Sequence, residues 1–219
     1  MTDFESSFLK RNGLSIVLVG CMLASLAGQV MMGRSVYNDE RAEQGAAPVG
    51  WVAYLGSGHF VSATFENWES EFLQMGMYVL LTVSLRQKGS AESRQLDKSE
   101  EEERIEPGPT PWPVRAGAIW RTLYGNSLAI AFGVLFALSF SLHLAGSWSH
   151  ENVERALKAE PAVSLVEYAK ETEFWFESFQ NWQSEFLAVA SLVLLSIWLR
   201  QKDSPQSKPV QAPHSQTGT

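Results

Sequence analysis

The chain of 219 residues has one cysteine, Cys21, and four histidines. A lone thiol excludes a disulfide framework and any zinc site built on several thiolates. Positive charge is scarce: 17 Lys and Arg against 24 Asp and Glu leave a formal net charge of −7. That excludes a general nucleic-acid binder, since neutralising phosphates takes a basic face. There is no phosphate-cradling glycine loop, no dinucleotide fingerprint and no nucleophile elbow. Only His143 lies within an apolar run, so a bis-histidine haem lacks its second ligand. His143 and His150 are seven apart and match no zinc spacing. The expectation is therefore no enzyme, no cofactor and no metal.

What the chain does have is apolar residues gathered in blocks. Gly13 to Gly33 and Leu123 to Gly146 carry no charge, and at ~1.5 Å per residue each crosses a ~30 Å hydrocarbon core unaided. The first run is too long for a signal-peptide core and ends without a small-x-small cleavage site. Two shorter blocks, Phe72 to Leu85 and Phe186 to Leu199, each end in Leu-Arg-Gln-Lys. Extended upstream to Phe65 and Phe179 they reach spanning length, with polar residues in their outer turns. Gly20, Ala24 and Gly28 form a small-xxx-small row that predicts a close helix contact, and Cys21 beside them reads as a packing residue.

Sliding the chain by 114 residues aligns FENWESEFL at 65–73 with FQNWQSEFL at 179–187, Asn38 with Asn152, and Arg41 with Arg155. Over residues 12 to 90 there are 28 identities in 79 positions. This predicts an internal repeat of two spans each, both copies facing the same way, the parallel type of repeat. With four crossings, the two termini and the middle loop share a side that holds 12 of the 17 Lys and Arg. The positive-inside rule makes that side cytoplasmic. Ser35 and Ser149 are expected to cap separate short acidic helices in the outer loops, and Ala162 to Phe176 an amphipathic surface helix. The middle loop, with its Glu100–Glu103 run and Pro-rich end, and the Ser/Pro/Gln tail read as disordered.

Chemistry-bearing residues concentrate at one height. Asn67 and Glu71 share a face at i, i+4, and Glu185 and Asn181 are their repeat partners. Counted from the basic ends, Gln29 and His143 sit ~25 Å up their helices, and Glu71 and Glu185 ~22 Å up theirs. These six form a candidate polar cluster, and intramembrane carboxylates tend to have partners. Arg41 and Arg155 are candidate structural ion pairs pinning the outer loops, and Trp68 and Trp182 candidate interface anchors.

The four-span layout, the doubled Asn-Trp-x-Ser-Glu-Phe-Leu block and the terminal Leu-Arg-Gln-Lys resemble an uncharacterised bacterial integral-membrane family of unknown function, over about residues 10 to 202. The resemblance implies no catalytic or binding residue.

The expected fold is all-α: a polytopic membrane protein with four transmembrane helices as two tandem two-helix repeats and partly helical outer loops. Its parts are a first repeat (1–90), a disordered acidic, Pro-rich cytoplasmic linker (91–113), a second repeat (114–204) and a disordered tail (205–219). The expected location is the bacterial inner membrane, with both termini cytoplasmic. The expected role is non-catalytic: acidic outer loops docking a membrane or periplasmic partner or a second copy. The alternative is a small transporter or ion or proton pathway through the paired outer carboxylates.

Overall fold

A computed structural model describes residues 3–96, 105 and 107–218, with side chains in the first helix from Phe8 onward. The described residues form helices and turns and no strand. In chain order the helices are α1 (Asp3–Glu43), α2 (Trp51–Leu55), α3 (Gly58–Ser84), α4 (Trp112–Arg115), α5 (Ala118–Gly125), α6 (Ser127–Leu157), α7 (Leu165–Tyr168) and α8 (Thr172–Trp198). Two stretches, Phe8–Glu43 and Ser127–Leu157, are long and apolar enough to cross a membrane.

α1 and α6 run on past their apolar stretches, so the separate acidic helices expected after Ser35 and Ser149 do not exist. Nothing in either sequence stops the helix before its end, where Gly45 (φ 73°) and Ala159 (φ 57°) turn left-handed. The Ala46 and Glu160 amides then bond back to the Arg41 and Arg155 carbonyls, both at 2.8 Å, which satisfies helix-end acceptors. The amphipathic helix expected over 162–176 is likewise replaced. α7 is one turn, closed by a Ser164–Glu167 capping box, and α8 starts afresh at Thr172.

The chain divides into two compact units. Unit 1 comprises Met1–Thr64 and Leu144–Ala169, and unit 2 Phe65–His143 and Lys170–Thr219. In unit 1, the Asn38 side chain clips the Val49 backbone, accepting from its N–H at 2.7 Å and donating to its C=O at 3.2 Å. Asn152 does the same to Val163 at 2.9 and 3.1 Å. Arg34 and Trp148, also related by the 114-residue offset, donate to those same two carbonyls. α3 meets α6 at Gly146, where a Cβ would stand 2.5 Å from the Ser62 nitrogen, and the Ser62 and Ser147 hydroxyls bond at 2.5 Å. Gly20 and Gly28 have nothing within 4 Å of where a Cβ would stand, and Cys21 is exposed. The close contact expected of that row is made instead at Gly146.

Unit 2 joins α3 from Phe65, α6 to His143, and α8, with the segments that follow α3 and α8. Arg86 donates to carbonyls of the last turn of α3, at Thr82 and Val83, and to that of Leu85 just beyond it. Arg200 does so for α8, at Ser196 and Ile197, and for Leu199 just beyond it. Cations there complement the helix dipole. The tail and the start of the linker lie against one another. Lys208 is 1% exposed and donates to the carbonyls of Gly89, Gln216 and His214. Gln95 donates to the Thr217 carbonyl at 2.6 Å, and Gly218 to that of Ser90 at 2.9 Å. Backbone carbonyls gathered on one ammonium give these residues a fixed path without helix or strand. Of the expected linker, residues 97–104 and 106 lie outside the described residues.

Candidate functional site

On α3, Glu66 and Glu69 stand at i, i+3 and so share a face. That face turns inward: Glu69 is completely buried, while Asn67 and Glu71 are exposed. α6 supplies His143, also 0% exposed, its ring 4.9 Å from that of the buried Phe174. α8 supplies Glu177, with Asn181 one turn on and Trp182 beside it. The four ionisable groups meet within unit 2. His143 Nδ1 lies 3.1 Å from Glu69 Oε2, and Nε2 lies 3.9 Å from Glu177 Oε2. Neither ring nitrogen, nor Glu69 Oε2, has an in-line hydrogen bond. Trp182 Nε1 donates to Glu69 Oε1 at 3.2 Å, and Asn181 Nδ2 donates to Glu66 Oε1. One ligand atom each from Glu66, His143 and Glu177 lie within 4.8 Å of one another.

Of the residues expected in a polar cluster, His143 and Asn181 are there. Glu185 is half-buried and Glu71 exposed; they are near enough to act on each other as like charges. Gln29 belongs to unit 1, donating to Thr64 Oγ1 at 3.3 Å. Trp182, expected as an interface anchor, serves as a donor to Glu69, and Trp68 packs edge-on to Phe65. Arg155 pairs with Glu151 at 2.6 Å, and Arg41 holds the Ala47 carbonyl at 2.9 Å. Glu66, Glu69 and Glu177 were absent from the expected cluster. A signal for two of them is present: FENWESEFL and FQNWQSEFL differ only where Glu66 and Glu69 face Gln180 and Gln183.

Unit 1 holds a second group, of rings. Tyr37, Tyr54, His59 and His150 stack with centroids 5.1 to 5.9 Å apart. The Tyr54 hydroxyl lies 3.3 Å from His59 Nδ1. Burial, then the neighbouring His150, holds His59 below its ordinary pKa of 6.5, with Glu154 opposing. Burial and Glu40 push the Tyr54 hydroxyl up.

Chemically, the unit 2 group sets three carboxylates around one imidazole, buried at Glu69 and His143 and open at Glu177. No Lys or Arg among the described residues pairs with its carboxylates. Carboxylates this close either share protons or hold a cation.

The fold and this group together define an all-helical protein with two helices of membrane-crossing length and a buried carboxylate–imidazole cluster. The chain belongs to the family described as domain of unknown function (DUF6766), whose model matches residues 5–219. Neither curated proteins nor solved structures yield a match.

Proposed function

We propose that this is a non-enzymatic, four-span protein of the bacterial inner membrane, two tandem parallel hairpins with both termini cytoplasmic, and that its Glu–His cluster accepts a proton or cation from the bilayer's outer side. One observation carries the reading: Glu69 and His143, both wholly buried, meet Glu66 and Glu177, and among the described residues no lysine or arginine joins them, so one imidazole faces three carboxylates. An ionisable group held inside a membrane is costly and marks an ion or proton path more often than a structural support. Four spans are supported by the 27-residue lengths of α3 and α8, ~40 Å each, and by the one-sided distribution of Lys and Arg. The test is flux into proteoliposomes under an imposed proton or cation gradient. Wild-type protein should carry flux and Glu69→Gln should lose most of it. Wild-type vesicles no leakier than empty ones sink the reading.

A second reading, docking of a membrane or periplasmic partner or a second copy, draws on exposed apolar residues on α2 and α7. Val52 is 87% and Val166 67% exposed, and the two are related by the repeat offset. Photo-crosslinkers at both positions should capture a partner in membranes; no adduct at either ends this reading.

A further inference from the structure

We propose that Glu66, His143 and Glu177 bind one divalent first-row transition-metal ion, with Glu69, Trp182 and Asn181 as the supporting shell. The inference rests on the cluster reading above and names what the cluster holds.

Three helices each contribute one ligand. Their ligand atoms lie within 4.8 Å of one another, so a small inward movement of the side chains brings all three to the ~2.0–2.2 Å typical of imidazole and carboxylate ligands around one ion. The second, independent observation is His143 itself. It is completely buried, yet neither ring nitrogen has an in-line hydrogen bond, although buried polar groups are almost always satisfied. Its two nitrogens face different carboxylates: Nε2 Glu177 at 3.9 Å, Nδ1 Glu69 at 3.1 Å. A metal-ligating histidine usually gives its other N–H to a carboxylate, which fixes the tautomer and strengthens the ligand. Glu69 is placed for that role, and is itself held by the Trp182 N–H. Asn181 likewise orients Glu66.

Charge points the same way. Three carboxylates converge on one imidazole, and no lysine or arginine among the described residues joins them, so a dication offsets the excess negative charge. One imidazole and two carboxylates suit Zn²⁺, Fe²⁺ or Mn²⁺ better than a thiolate-seeking ion. Three protein ligands also leave a position for water.

The test uses the full chain, purified in detergent, stripped with chelator and titrated with Co²⁺ or Zn²⁺ alone. One ion per chain should bind, with Co²⁺ developing ligand-field absorption. His143→Gln should abolish that absorption. Glu69→Gln, which leaves all three ligands in place, should weaken binding by ~10–100-fold. Should His143→Gln fail to fold, Glu177→Gln at the half-buried end of the site provides the same comparison. Wild-type protein that takes up no stoichiometric ion, or binds it equally in Glu177→Gln, overturns the proposal. The two failures are separable: flux without metal binding removes the metal site alone, and metal binding without flux removes the pathway alone.

Discussion

Trp182 gives Glu69 its one indole donor, and the consequence is measurable at a single atom. Trp182→Phe keeps the ring's packing against Phe136 and Phe179 but leaves Glu69 Oε1 without that donor. A buried acceptor that loses its partner costs about 1–3 kcal/mol, so unfolding in detergent should show a loss of that order, and Trp68→Phe a smaller one. His59 makes a prediction in pH. Its folded pKa is lowered from 6.5, so below that value the unfolded chain takes up the proton first. Unit 1 should therefore lose stability as pH falls from about 6.5, levelling off once folded His59 is itself protonated. Thermal unfolding followed from about pH 7.5 to about pH 5 should show this slope, and His59→Gln should flatten it. The same residues explain why the cluster was only half legible. Looking for what the two copies share selects Asn67, Glu71 and Glu185. The cluster is built where they diverge, with Glu66, Glu69, His143 and Glu177 facing Gln180, Gln183, Gln29 and Ala63 in the alignment. Apart from Ala63, acid or imidazole stands against a neutral amide.

At the scale of elements, α6 carries a paired test of close packing. Gly146→Ala puts a methyl 2.5 Å from the Ser62 nitrogen and should destabilise by about 1–3 kcal/mol through overpacking. Gly133→Ala, with nothing within 4 Å, should stabilise by roughly 0.5–1 kcal/mol, because alanine is the better helix former. Thermal melts of the two variants should therefore move in opposite directions. Beyond the end of the same helix, Ala159 holds φ at 57°, a conformation that suits glycine. Ala159→Gly should raise stability by about 1 kcal/mol, and an unchanged or lowered melting temperature would count against the left-handed turn. The existence of the four long helices was readable from hydrophobic length. Their ends were not, because α1 and α6 continue through polar sequence that has no stop signal before Gly45 and Ala159. In the tail, composition says what a segment cannot bury, not that one buried lysine will collect four carbonyls.

For the whole molecule, topology is the decisive measurement. In a Cys21→Ser background, single cysteines at the amino terminus and at Gln211 should label from one face of the membrane, and one at Ala47 from the other. Labelling of the two ends from opposite faces would break the doubled hairpin. Hydrophobic length, charge asymmetry and the 114-residue offset were all properties of the chain itself, and they sufficed for helices, for membrane-crossing length and for the places where helices recur. Whether a stretch is helical depends on hydrogen bonds and solvation within a few residues. Which side chains meet depends on how far each helix is rotated about its own axis, at about 100° per residue. Glu69 and Glu71 are two residues apart and so point to nearly opposite sides, one buried and one exposed. That rotation is set by packing partners distant in sequence, such as Phe174 beside His143, so only the tertiary structure decided which carboxylates form the cluster.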